Sequence, residues 1–452
     1  MKEGILSLLM MAAMPTEGAA QDTLKTENSE VTVGVELMTR GELRNGGMPT
    51  DPDDPTSEDK SAFIIDRERI KIGFQRDWLS LKATAQHVGT WGAEGGATTT
   101  IFEAWAKVTA KNGLFTQIGR QALVYDDERI IGSDDWVVMP MTHDALRFGY
   151  EGHGHKAHGI LAYNQNLRAV DEAGSFYTNG SAPYKTMQTV WYHYDVPKFP
   201  LGASLLFMNI GMQAGSIGGT QSERPRTEWQ QVYGGYLKFE PKHFCFEGSY
   251  YRQGGHDERG IKLDAWMYAL KGQWMPNDRW SVQTGYDHLS GDDTVILVEE
   301  GGLGLIRHDV IKGFNPVYGA HHTFYGAMDF FYITTFVNGF TPGLQNAYIG
   351  GTYSPVKGLS LSTTYHYFAT GTQLNGYNKE LRMNEMLDKT LGHEIELEAN
   401  YEITKDVMVA AGFSYMTGTD LMKRLKRTSA DGNLRWAWIT LNITPTIFST
   451  KW

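Results

Sequence analysis

The sequence predicts an all-β protein: a single transmembrane antiparallel β-barrel of about eighteen strands, with short periplasmic turns and long extracellular loops. Three observations predict it. Apolar and polar residues alternate along segments of about 8 to 14 residues, a length that suits a tilted membrane-spanning strand and exceeds the roughly 5–6 residues usual in soluble sheets. Short turns alternate with long polar or Gly-rich connections. The chain also opens with the order of an export leader.

That leader is MKEGILSLLMMAAMPTEGAAQD, with Lys2, an apolar core from Ile5 to Met14, and small Gly18, Ala19 and Ala20 before Gln21. It reads as a secretory signal peptide, so 1–20 is expected to be removed and 21–452 to form the barrel. No later run of about 18 apolar residues suggests a membrane helix.

The first strand, EVTVGVEL, places Val31, Val33, Val35 and Leu37 on one face. RERIKIGF sets Ile70, Ile72 and Phe74 against Arg67, Arg69 and Lys71. WLSLKATAQHV sets Leu79, Leu81, Ala83 and Ala85 against Lys82 and its polar neighbours. DALRFGYEG sets Leu146, Phe148 and Tyr150 against Arg147. Similar runs lie near 100–110, 113–121, 155–163, 186–195, 201–212, 227–239, 242–253, 262–274, 279–289, 345–353, 359–369, 391–401, 407–417 and 434–443.

Short connections include QRDW, KNG, EGHG, VPKFP, EPKH, MPND, SPVKG and EITKD; the long ones are 44–60, 122–143, 164–185, 213–226, 290–343, 370–390 and 418–433. Parity decides the one ambiguous stretch. Counting 321–336 as a strand puts the 370–390 loop on the short-turn side. Leaving it out keeps every long loop outside, so 290–343 is expected to be one external loop, able to fold into the lumen. Trp78, Phe115, Phe199, Phe244 and Trp280 lie beside short turns and form a candidate periplasmic aromatic girdle.

Composition removes other classes. The net charge is -11, and no basic tract points to nucleic acid. Cys245, the one cysteine, cannot form an internal disulfide. No cofactor motif is visible.

Several stretches carry a resemblance. GRQALVYDDERIIGSDDW with the later THDALRFGY, then FNPVYGAHHTFYGAMDFF, LGHEIELEANYEI and AAGFSYMTG resemble the alginate export family of bacterial outer-membrane proteins, over about 63–443. His143 stands where an aromatic is expected. The resemblance implies an eighteen-stranded barrel whose best-known members pass an anionic polyuronate through an Arg/Lys-lined constriction. It implies anionic polysaccharide or small anionic solutes as partners, in a Gram-negative outer membrane. Membrane lipid and lipopolysaccharide would surround the barrel. The terminal Trp452 resembles the signal read by the outer-membrane assembly machinery.

A water-filled lumen spares a polyanion the cost of desolvation, and inward Arg and Lys select it electrostatically. Alternation turns Arg67, Arg69, Lys71, Lys82 and Arg147 inward, with acids Glu103, Glu394, Glu396 and Glu398. Arg120 is a further candidate, although its face also carries Leu114 and Ile118. The charge-dense 119–136 stretch surrounds Arg129 with Asp126, Asp127, Glu128, Asp134 and Asp135. Two readings stay open for it: Arg129 pairs with these acids and fixes the loop at or inside the mouth, or the loop is simply solvated.

His153, His155 and His158 have the side chains to hold a metal, but no Cys or well-placed Asp supports it, and a polar periplasmic turn is the ordinary reading. His321 and His322 could pack on Phe324 or Tyr325. No spacing singles out a hydrolase triad. A plugged barrel serving as a binding or structural subunit of an envelope complex is the remaining alternative.

Overall fold

The computed structural model describes residues 28–45, 60–164, 184–214, 226–293, 296–298, 303–304, 309–331, 341–378, 382–426 and 433–452. The leader expected at 1–20 lies outside them. Among the described residues, eighteen antiparallel strands close one barrel. They are β1 (Glu30–Asn45), β2 (Lys60–Arg76), β3 (Leu79–Thr90), β4 (Thr98–Thr109), β5 (Leu114–Gln121) and β6 (His143–Gly152). Next come β7 (His155–Tyr163), β8 (Thr186–Asp195), β9 (Leu201–Ala214), β10 (Arg226–Phe239), β11 (Phe244–Gly255) and β12 (Ala265–Asn277). β13 (Trp280–Leu289), β14 (Leu344–Tyr353), β15 (Leu359–Ala369), β16 (Thr390–Thr404), β17 (Val407–Gly418) and β18 (Asn433–Ile443) complete it.

Pro445 lacks an N–H and breaks the last strand, which continues as Thr446–Lys451. Both pieces pair with β1, at Leu37–Asn45 and Glu30–Gly34, and so close the cylinder. Ser29 and Trp452 exchange backbone hydrogen bonds, so the two ends meet at the turn side. Each predicted strand is present, and 321–331 forms no strand.

Alternation sorts the faces. Ile70 and Ile72 are 56% and 50% exposed on the outer face, whereas Arg67 and Arg69 just above them on the inner face are 3% exposed. The outer apolar row ends at polar groups on neighbouring strands: Glu68 and His87 face each other in register, and Asn209 bonds Gln188 and Gln231. Outward apolar positions such as Ile70, Ile72 and Phe74 remain below that line and form the lipid-facing band. Trp78, Phe199, Phe244 and Trp280 stand exposed at the turn end. Phe115 departs from the expected girdle. Alternation on β5 turns it inward, buried against His158 and Lys107.

The interior is not simply polar. The inner faces of β7–β12 carry Ile160, Met187, Met208, Ile210, Val232 and Met267, all buried. Two inserts cover them. Insert 1, residues 122–142 between β5 and β6, contributes Leu123, Tyr125, Ile130 and Ile131; insert 2, from the 290–343 connection, contributes Phe314, Tyr318, Tyr325, Phe330 and Phe331. Each buried side chain of this size stabilises by about 1.5–3 kcal/mol, so the inserts are part of the core. They also pair with each other. Ile131 and Tyr318 form a parallel bridge, and Ala320 donates its N–H to the Glu128 carbonyl at 2.8 Å. The 290–343 connection thus runs into the lumen through its 314–331 portion.

Candidate functional site: the lumen and its inserts

The first site element is basic. Arg67, Arg69 and Lys71 follow one another down the inner face of β2. Arg67 donates to Glu36 at 2.6 Å and to the carbonyls of Asp135 and Val137 at 2.9 and 2.8 Å. Arg69 donates to Asp135 Oδ1 and Gln86 Oε1, each at 2.8 Å, and lies 4.0 Å from the Phe102 ring centroid. Arg40 on β1 donates to the Trp136 carbonyl at 3.1 Å and covers its ring at 4.4 Å. Arg40 and Arg67 therefore hold one turn of insert 1 by its carbonyl oxygens, and Arg69 holds it by the Asp135 carboxylate. Lys71 binds Glu36 at 2.5 Å yet keeps 39% of its side chain exposed. Lys82 pairs with Glu103 and keeps 41% exposed.

The second element joins the inserts. Arg129 is buried, and its guanidinium meets Asp127 and the wall residue Asp287, each at 3.1 Å. It also donates to the Tyr325 hydroxyl at 3.3 Å and lies 4.0 Å from the Phe324 ring centroid. Burial works against its charge, but Asp287, Tyr325 and Asp127 together hold it well above the ordinary arginine range. Burial likewise pushes the Tyr325 hydroxyl up to about 12, so it stays protonated as a neutral partner. Of the two readings of the charge-dense stretch, Arg129 pairs inward, with Asp127 and with Asp287 from β13.

The third element is acidic. Glu394, Glu396 and Glu398 descend the inner face of β16. Glu394 accepts the Met328 N–H at 3.0 Å, and Glu396 accepts the Ala327 N–H at 2.6 Å. Gly326 (φ 91) makes the approach possible, because a Cβ there would sit 2.4 Å from Glu394 Oε2. Glu398 lies one step lower and is exposed.

On the turn side, a cavity of about 760 Å³ opens beneath the tip of insert 1. Arg147, Lys156 and Lys238 reach it, opposed by Asp195 and Glu247, with Trp191 and Tyr236 as aromatic walls. The tip is fastened there. Trp191 Nε1 donates to Asp126 at 3.1 Å, and the Tyr125 hydroxyl bonds His158 Nδ1 at 2.9 Å. Burial raises the Asp126 carboxyl above its ordinary range.

Arg67, Arg69, Lys71, Lys82, Glu103, Arg147, Glu394 and Glu396 all lie on the inner face. Arg120 does not. Gln117 and Gln121 take the inward positions of β5, so Arg120 points outward beside Ile118. It forms a bidentate pair with Asp144 of β6, at 2.9 and 2.8 Å. Arg67, Arg69 and Glu394 are covered by the inserts instead of facing open lumen. His143 fills its aromatic-type position by stacking on Tyr184 and bonding its hydroxyl at 2.7 Å.

The histidines diverge. His155 stacks on Tyr194, while His158 joins Tyr125 and Glu151. His322 stacks on Trp136 at 4.5 Å, with 4° between the planes, not on Phe324 or Tyr325 as expected. Sequence reasoning missed Glu36, Arg40 and Asp287. Glu36 and Arg40 were readable from the same alternation that placed Val35 and Leu37 outward.

A search of curated proteins finds no match. Among solved structures, the chain is similar to OccK2 (OpdF) of Pseudomonas aeruginosa, with 11% identity and a TM-score of 0.59 over 92% of this chain and 98% of that one. A structure of that protein in complex with glucuronate gives 0.58 at 11% identity, over 92% and 98%. A BenF-like porin of Pseudomonas fluorescens Pf-5 gives 0.58 at 10% identity, over 92% and 99%. At such identity these show the fold. The alginate export family model matches residues 95–431, about three quarters of the sequence. With that match spanning both inserts and most of the barrel strands, the chain belongs to the alginate export family.

Proposed function

We propose that the barrel is a passive channel of the outer membrane that favours anionic and sugar-acid solutes. One observation carries the reading. Lys71, Lys82 and Arg147 face the lumen, while Ile70, Leu81 and Phe148 beside them face lipid. The partly exposed ammonium groups of Lys71 and Lys82 and the half-buried guanidinium of Arg147 replace part of the hydration an anion loses on entering the pore. The arginines above them fix insert 1, which narrows the path past those cations. That a similar barrel was solved with glucuronate supports a sugar acid as the solute. Export through a cleaved leader at 1–20, contact with lipopolysaccharide, and recognition of Trp452 by the assembly machinery complete the proposal. No catalytic step and no cofactor is invoked.

The test is a planar-bilayer recording of the full mature chain under a salt gradient. The reversal potential should show anion preference, and Lys71→Gln with Lys82→Gln should reduce it. A cation-selective pore would overturn the reading. The packed inserts favour one rival, a plugged barrel acting as a subunit of an envelope complex; a barrel silent in bilayers would support that instead.

A further inference from the structure

The inner face of β15–β18 differs in charge from that of β1–β3. Its register produces two rows of inward side chains. Ser362, Glu398, Gly412 and Trp438 are successive cross-strand neighbours, as are Thr364, Glu396, Ser414 and Trp436 one step above. Gly412 has no side chain, and the Trp438 ring lies across it; a Cβ there would sit 2.3 Å from Trp438 Nε1. The ring therefore reaches toward Glu398. Insert 2 roofs the rows at Gly326 and Ala327, and Trp136 with His322 forms a side wall. The result is a niche of about 350 Å³. That size suits a single small solute.

No arginine or lysine is among the described residues that line this niche. Glu396 is partly committed, to the Ala327 N–H at 2.6 Å and His366 at 3.4 Å. Among the described residues, Glu398 takes an amide donor from Asn400 alone, at 2.6 Å, and stays exposed. A carboxylate ligand would meet two like charges here. A protonated amine would meet two opposite charges and an aromatic face, which attracts cations through its quadrupole. Ser362 and Thr364 supply hydroxyls that can donate or accept, matching a carrier with its own hydroxyl groups.

We infer that this niche is a second solute site, of opposite sign to the basic sector, which holds the ammonium group of a hydroxylated amine such as an amino sugar. The inference rests on the channel reading for its purpose but not for its binding chemistry. Solutes carrying an acid and an amine would then find a partner for each charge within one lumen.

Glucosamine is the probe and glucose its neutral control. In bilayers, glucosamine should interrupt the current of the wild-type barrel and glucose should not. Glu398→Gln keeps the shape and should weaken glucosamine association roughly tenfold, the expected loss of a charged partner. Calorimetry on the full detergent-solubilised barrel should show the same order. Equal binding of glucose and glucosamine, or no effect of Glu398→Gln, would overturn the inference. The two readings fail separately. Anion-selective current with no glucosamine binding removes the niche alone. A silent barrel that still binds glucosamine through Glu398 removes the channel alone and upholds the niche.

Discussion

Two sectors of the wall hold the two inserts with opposite chemistry. On β1 and β2, Arg40 and Arg67 donate to the carbonyls of Asp135, Trp136 and Val137. On β16, Glu394 and Glu396 accept the N–H groups of Met328 and Ala327. The arrangement repeats down each strand. The upper inward charges are buried under an insert, and the next one toward the turns, Lys71 or Glu398, is left uncovered. Inward charge in this barrel thus divides by height: anchoring above and, in the proposed channel, solute contact below. A bare loop segment inside a lumen must have its backbone groups satisfied, and charged acceptors and donors satisfy them more strongly than water-like partners do.

The contrast breaks most completely at Arg129, which ties both inserts together. Arg129→Ala leaves Asp287 buried without its cation. Losing one partner of a buried pair costs about 3–5 kcal/mol, the largest effect expected of any single change here. Thermal unfolding of the barrel in detergent should fall, and insert 1 should become cleavable by protease. Arg129→Met with Asp287→Asn should recover much of the loss, because the fully buried Asp287 charge is then no longer stranded. An unaltered unfolding temperature in Arg129→Ala would mean that the two sectors hold their inserts independently.

The next largest effect separates the sectors. Glu394→Ala removes the acceptor of the Met328 N–H, at a cost of about 1–3 kcal/mol. Hydrogen exchange should quicken at Ala327 and Met328 and stay unchanged at Asp135–Val137. Arg67→Ala should give the reverse pattern. Loss of protection at both inserts in either variant would show one shared anchor instead of two.

How far this was readable from sequence follows the same division. The barrel was legible because lipid imposes a period of two on every strand, and Ile70 or Leu81 cannot face water and lipid alike. The same rule brought Arg67, Arg69, Lys71 and Lys82 inward correctly. Naming Arg120 as a lumen candidate went against that rule, which groups it with Leu114 and Ile118; a rim position lets the paired arginine lie outward at little cost. Whether an inward charge meets an insert or a solute depends on chain elements distant in sequence, so alternation cannot report it. A signal was nevertheless present. On β9, Leu205 and Phe207 face lipid while Leu206, Met208 and Ile210 face inward. A strand apolar on both faces needs a second apolar partner, and only a chain segment inside the barrel can provide one.

A smaller effect sharpens the lower tier. Lys71→Gln should move the reversal potential toward neutrality, and Glu398→Gln should move it toward stronger anion preference. Neither should alter the unfolding temperature by much, since both groups are solvated. One exposed charge acts through about 1 kcal/mol at contact in water, so the permeability ratio should change by less than roughly tenfold. Equal and same-signed shifts in both variants would remove the division by height.

The smallest effect concerns pH at the tip of insert 1. Burial raises the Asp126 carboxyl above its ordinary range, outweighing the lowering by Ser204 and Trp191. The docked tip therefore binds a proton more tightly than the undocked tip does. By linkage, docking is most stable below the ordinary aspartate value and weakens as pH rises through the docked value, after which the cost is constant. The fluorescence of Trp191, isolated by difference from Trp191→Phe, should report looser docking near pH 7 than near about pH 4. Asp126→Asn cannot titrate and should flatten the curve. Docking that tightens as pH rises would show that the Trp191 bond to the carboxylate, not its burial, controls the tip.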